Sequence, residues 1–156
     1  MDFEKVLELL AALHRHEVEY VLVGGLAINL HGFPRVTQDV DLFLRPEAGN
    51  IERLRAALRE LWNDPEIEQI LVEDLAGDFP AVRYVPPDES VPMDLLARLG
   101  EAFRYEDIEW ELREYEGSPV RLATPRMLWR MKKDTVRLHD RADAQLLRDR
   151  FGIEEE

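Results

Sequence analysis

The acids Asp39 and Asp41, in Arg35-Val-Thr-Gln-Asp39-Val-Asp41-Leu-Phe, stand shortly after a glycine pair in Tyr20-Val-Leu-Val-Gly24-Gly25-Leu-Ala. Side chains along an extended strand alternate faces. The two carboxylates therefore share a face, about 6–7 Å apart, while Val40 and Leu42 point into a core. That separation can bracket divalent cations. Mg²⁺ suits such a pair, because it takes few protein carboxylates and keeps water and phosphate as its other ligands. Two metals about 3.5–4 Å apart stabilise both the attacking and the leaving oxygen of a displacement. Gly24 and Gly25 let the backbone approach phosphate with no Cβ in the way, and a helix beginning near Leu26 would offer free N–H groups. Acids and glycines thus serve opposite ends of one magnesium–phosphate unit.

The same parity adds Arg35 and Thr37, which share the face of Asp39 and Asp41 if the strand is regular, with the guanidinium directed at phosphate. A third carboxylate is needed to position an attacking hydroxyl. Asp94, in Val91-Pro-Met-Asp94-Leu-Leu-Ala, lies in an apolar strand where a bare acid is costly, and it takes the role of general base or third metal ligand. Asp88 is the competing acid. His14 and His16 have a spacing seen in metal sites but stand in a polar turn with no third ligand. Trp62, Trp110 and Trp129 fall on apolar faces and read as core.

The elements that must hold these groups follow from periodicity. Phe3, Val6, Leu7, Leu10 and Leu13 recur at helical spacing, so Phe3 to Leu13 is an amphipathic helix. Val18 to Val23 is a buried strand cut by Gly24-Gly25, Leu26 to His31 a helix, and Arg35 to Leu44 a second strand ended by Arg45-Pro46. Asn50 reads as the N-cap of a helix over Ile51 to Trp62. Phe79 to Val85 and Val91 to Leu96 form a hairpin around Pro86-Pro87-Asp-Glu-Ser. Residues 107–115, which alternate apolar and charged side chains, pair with Val120-Arg-Leu. Thr124-Pro125 opens a helix running to about Arg137, and a last helix spans Asp140 to Arg150. Strand, turn, helix, strand, helix is the beginning of an α/β (α+β) domain.

Composition excludes several classes. The chain has 156 residues, of which 46% are hydrophobic, enough for one domain with its own core and too few for a second. Cysteine is absent, which removes disulfides, thiolate nucleophiles and Cys-based metal sites and fits a reducing cytoplasm. The acidic N-terminus is unlike a signal peptide, and no apolar run approaches the roughly 18 residues needed to span a bilayer, so no membrane partner is expected. A net charge of −13 opposes binding to a polyanion.

Gly24-Gly25 followed by Asp39-x-Asp41 and a later strand acid resembles the nucleotidyltransferase superfamily related to DNA polymerase beta. It looks most like the small bacterial group of abortive-infection AbiEii-type toxin nucleotidyltransferases. Lys132, Arg137, Asp140 and Asp143 resemble that group's C-terminal Lys-x4-Arg-x2-Asp-x2-Asp pattern. Gly25 departs from the serine that many active members carry, leaving backbone N–H groups to hold the phosphate. The resemblance implies one nucleotidyltransferase domain over residues 1–156, with a core at 18–96 and C-terminal helices at 124–151. Its fold would be a short mixed β-sheet flanked by helices. It implies transfer of a nucleoside monophosphate from an NTP such as ATP to a hydroxyl, releasing pyrophosphate. Mg²⁺ would be the cofactor, with Mn²⁺ as substitute. Lys132 would contact the triphosphate and Asp143 would help place it; spacing alone selects Lys132 over Lys133. The acceptor would be a tRNA end, a protein or a small molecule, and a cognate antitoxin the partner. Two other readings compete: a non-catalytic nucleotide- or partner-binding module, which the intact Asp39 and Asp41 oppose, and an aminoglycoside-type enzyme, for which the chain is short of a separate substrate-binding domain.

Overall fold

In α1 (Phe3–Arg15), Val6, Leu9, Leu10 and Leu13 form one buried stripe, and the Asp2 carboxylate caps the helix by accepting from the Glu4 and Lys5 amides. This computed structural model describes residues 1–33, 36–76, 81–99, 103–133 and 138–154, without the side chains of 138–141. Arg35 and Arg137 lie outside the described residues, as does the Asp140 side chain.

The chain then runs through β1 (Tyr20–Val23), α2 (Gly24–Leu30), β2 (Val40–Leu44) and α3 (Ala48–Leu61). A 3-10 turn and α4 (Val72–Ala76) lead into β3 (Ala81–Tyr84) and β4 (Met93–Leu96). A small hairpin of β5 (Arg98–Leu99) and β6 (Phe103–Arg104) precedes β7 (Trp110–Tyr115) and β8 (Ser118–Ala123), and α5 (Pro125–Lys132) and α6 (Leu138–Phe151) close the fold. The main sheet has the order β3-β4-β2-β1-β8-β7. It is mixed: β2–β4 and β1–β8 are parallel, and β1–β2, β3–β4 and β7–β8 are antiparallel. The α+β expectation of a short mixed sheet flanked by helices holds. Helix α1 packs on α3 and β8, α2 on β1 and β2, and α5 against α6.

Both predicted hairpins form; β3, β4 and β7 are shorter than the runs that predicted them, and β8 is longer, Ser118–Ala123 against Val120 to Leu122. Thr124 caps α5 as predicted, its Oγ1 accepting from the Met127 amide at 3.2 Å. Several expectations are corrected. Helix α2 begins at Gly24, not Leu26. Strand β2 begins at Val40 rather than Arg35. Ahead of it the Thr37 hydroxyl donates to the Asp39 carbonyl at 3.2 Å, a local bond that competes with a strand ladder. The β5–β6 hairpin is too short to register as a periodic pattern. Trp110 is 40% exposed, lying on the edge strand under the Arg121 guanidinium rather than in the core.

Asn50 is the most instructive correction. It does not cap α3, whose N-cap is Glu47; it lies in the first turn, 1% exposed. Its Oδ1 accepts from the Glu19 amide at 2.7 Å, and its Nδ2 donates to the Glu19 and Arg45 carbonyls at 2.9 and 3.0 Å. One carboxamide thus ties the entry of β1 to the exit of β2, pinning the register of these antiparallel strands. Replacing Asn50 with Ala leaves an amide and two carbonyls without these partners. The expected loss is about 1–3 kcal/mol in urea unfolding, with Asn50→Asp failing to recover it because the carboxylate cannot donate.

Candidate active site

Strand register lines up the polar groups that the spacing singled out. Val23 of β1 lies opposite Asp41 of β2, Asp41 opposite Asp94 of β4, and Asp94 opposite Arg83 of β3. Register partners on neighbouring strands project from one face, so the two acids and the guanidinium form a row across the sheet. Asp39, immediately before β2, joins it: Arg83 Nη2 is 3.0 Å from Asp39 Oδ1, and Arg83 Nη1 is 3.1 Å from Asp94 Oδ1.

Asp41 sits at the centre of this charge. Burial pushes its carboxyl up to about 7, helped by the charge of Asp94, a hydrogen bond with the Asp94 carboxyl and the charge of Asp39, against a smaller opposing pull from Lys132. The backbone at Gly24 is as tightly specified. Its φ is +75°, and a Cβ there would lie 1.9 Å from Asp41 Oδ2. The first glycine is therefore required by conformation and by the close approach of the central acid to the β1–α2 turn.

These groups open onto a cavity of about 550 Å³, of a size that accepts a small-molecule ligand. Gly24, Gly25, Thr37, Asp39, Asp41, Asp94 and Lys132 form its polar lining. Leu96, Leu99, Leu128 and Met131 form an apolar wall. Lys132 comes from the end of α5, where Asp143 of α6 holds it at 3.2 Å, both side chains being nearly buried. Lys133 instead lies over the Trp129 ring at 4.6 Å, so Lys132 is the lysine at the cavity.

The structure thus brings Gly24, Gly25, Thr37, Asp39, Asp41, Asp94 and Lys132 together, with Asp143 one contact behind. The competing acid Asp88 stands elsewhere, accepting from the Ser90 hydroxyl and the Trp62 indole, which hold its carboxyl below the usual range. His16 lies 3.6 Å from Glu60, and His31 bonds the Ala123 carbonyl, so neither belongs to the site. Arg83 was not singled out among the site residues. The signal was present in the hairpin around Pro86-Pro87, whose pairing sets Arg83 opposite Asp94.

Among the described residues no three His, Asp or Glu side chains close into a ready-made metal site. Mg²⁺ asks for less, one or two carboxylates plus water and phosphate. The crowding of Asp39, Asp41 and Asp94, which drives Asp41 toward neutrality, is a charge imbalance that a bound cation relieves. The donor set, hard oxygens only, fits that ion.

A family model described as nucleotidyl transferase AbiEii toxin, type IV toxin–antitoxin system, matches residues 8–98, which include Gly24, Gly25, Asp39, Asp41, Arg83 and Asp94. No curated protein matches the sequence. Among solved structures, the crystal structure of ANT(2″)-Ia in complex with adenylyl-2″-tobramycin superposes with a TM-score of 0.57 at 16% identity, covering 96% of this chain and 88% of that one. That likeness establishes a nucleotidyltransferase fold.

The folded state binds a proton at Asp41 more tightly than the unfolded chain, whose carboxyl titrates near 3.8. Metal-free stability should therefore fall as pH rises from about 4 through about 7, and level off above. Thermal melts of Asp41→Asn should lose this component and lie above wild type at pH 8, with the two converging at pH 4. Gly24→Ala should cost about 1–3 kcal/mol from the backbone alone, plus whatever Asp41 pays to move, read as a lowered melting temperature.

Proposed function

Since the chain belongs to the nucleotidyl transferase AbiEii toxin family and is a nucleotidyltransferase, we propose that it moves a nucleoside monophosphate from a Mg²⁺-bound NTP to a hydroxyl acceptor, with Asp39, Asp41 and Asp94 as its catalytic acids. The observation that carries this reading is the meeting of Asp39, Asp41, Asp94, the Gly24-Gly25 turn and Lys132 around one cavity.

Asp39 and Asp41 would hold the metal, with Asp94 as third acid beside Asp41. When bound, Mg²⁺ (or Mn²⁺) supplies charge neutralisation at the phosphates and stabilisation of the attacking and leaving oxygens. Asp94 accepts the proton of the acceptor hydroxyl as its oxygen bonds to the α-phosphorus. The bond from that phosphorus to the bridging oxygen breaks, and pyrophosphate leaves. Gly24 and Gly25 bring backbone against phosphate. Lys132, held by Asp143, offers an ammonium to the triphosphate. Thr37 would contact the same nucleotide, and Leu96, Leu99, Leu128 and Met131 would pack against its base.

The acceptor is a hydroxyl of an RNA end, a protein or a small molecule. A net charge of −13 favours a protein or a cationic small molecule over a long polyanion. The aminoglycoside-type reading gains from the coverage of 88% of that structural neighbour, since a separate domain is not needed to reach its length. Membership of a toxin–antitoxin family makes a cognate antitoxin the expected partner. Among the described residues no helix is long and apolar enough to cross a membrane.

Incubation with each α-labelled NTP, Mg²⁺ and tRNA, protein or aminoglycoside acceptors should label one acceptor class. EDTA should abolish transfer and added Mg²⁺ or Mn²⁺ restore it. Asp39→Asn and Asp41→Asn should each lower kcat by about 10²-fold or more, while Lys132→Ala should act chiefly by raising KM for the NTP. Equal labelling by wild type and the Asp39→Asn/Asp41→Asn double variant would overturn the assignment.

A further inference from the structure

Arg83 has no part in the reaction just outlined, yet it pairs with two acids of the row, at 3.0 Å to Asp39 and 3.1 Å to Asp94. Its carbon stem rises from β3, and Ala81, two residues earlier on that strand's same face, lines the cavity. The guanidinium thus reaches inward over β4 to the acid just ahead of β2, spanning Asp94 and Asp39. Arginine fits this task where lysine would not, because one planar fork can address two carboxylates and stays charged at any physiological pH.

A guanidinium on Asp39 Oδ1 and Asp94 Oδ1 takes up lone pairs and charge that a divalent cation would use, so the two compete for these acids. We propose that Arg83 is a tethered counter-cation that sets the metal affinity of the site, holding Asp39 and Asp94 in the metal-free protein and yielding them when the metal enters. This rests on the metal-dependent reading above. The Arg83 side chain is 52% exposed, and its two acids are 34% and 33% exposed. Half-exposed pairs are weak, so the guanidinium is displaceable by a cation of twice its charge rather than a permanent plug. Without it, the crowded acids around Asp41 would bind stray cations more readily; with it, they are screened until a divalent ion competes.

The test is Mn²⁺ binding to the whole chain at pH 8 without nucleotide, followed by calorimetry and by the EPR signal of free Mn²⁺. Wild type, Arg83→Met, Arg83→Lys and Asp41→Asn are compared. Arg83→Met should bind Mn²⁺ roughly threefold to thirtyfold more tightly than wild type, the range expected from losing two exposed pairs. Arg83→Lys, which keeps the charge, should fall between them, and Asp41→Asn should bind most weakly. Thermal melts keep the comparison sound: metal-free Arg83→Met should melt below wild type, and Mn²⁺ should raise its melting temperature by more. Unchanged or weaker binding in Arg83→Met, with Asp41→Asn still impaired, would overturn the counter-cation role and leave the metal site standing. Absence of Mn²⁺ binding in wild type and Arg83→Met alike would overturn both.

Discussion

Mutual repulsion among Asp39, Asp41 and Asp94 is the constraint around which the rest of this protein is arranged. Asp41 lies on a central strand, flanked on one side by β1 and on the other by the register-matched Asp94. A carboxylate so placed is penalised twice, by lost hydration and by its neighbours, and its affinity for a proton rises accordingly. The surroundings answer that penalty from three directions. Arg83 binds the outer acids, Lys132 stands across the cavity, and the turn at Gly24 gives up a side chain so that the Asp41 carboxylate has room. The acid row is an instance of local electrostatic strain held in place by a stable scaffold.

The scaffold that holds it is the middle of the sheet. Leu42 and Leu44 lie on the face of β2 opposite Asp41, so a one-residue slip would turn them toward the cavity that Asp41 lines, and the register is strongly specified. Asn50 reinforces this by bonding the backbone at the open ends of the two strands. Position in the sheet and position of the acids are therefore the same fact: fixing Leu42 against Leu22 fixes Asp41 against Val23.

Much of this was legible in the chain because it is local. The run from Tyr20 to Leu44 carries its strands, glycine turn and acid pair within one hairpin, and parity alone put Asp39 and Asp41 together. Thr37 reached the cavity even though its segment is not strand, since a loop bonded back on itself still passes the same opening. Asp94 stood out as an acid in an apolar run and Lys132 only through resemblance, because no local pattern states which distant strand or helix will lie beside β2. Arg83 escaped notice for the reverse reason: a lone charge on a short strand has no periodic signature, and its meaning comes from register. Asn50 was misread because cap and strut look alike in a sequence; only the backbone groups facing it distinguish the two. The short β5–β6 hairpin and the exposure of Trp110 on an edge strand likewise depend on neighbours that arrive from elsewhere in the chain.

The parallel pairing of β1 with β8, where Leu22 meets Leu122, has a consequence in time rather than in space. Antiparallel β1 and β2 are neighbours in the chain and meet early, but β8 and the helix that carries Lys132 join only after a long loop closes. During synthesis the acid pair and glycine turn leave the ribosome well before that lysine does. The nascent chain thus holds carboxylates without the ammonium that faces them. Completion of the last helices is the step that brings the Lys132 ammonium to the acids of the β1–β2 segment.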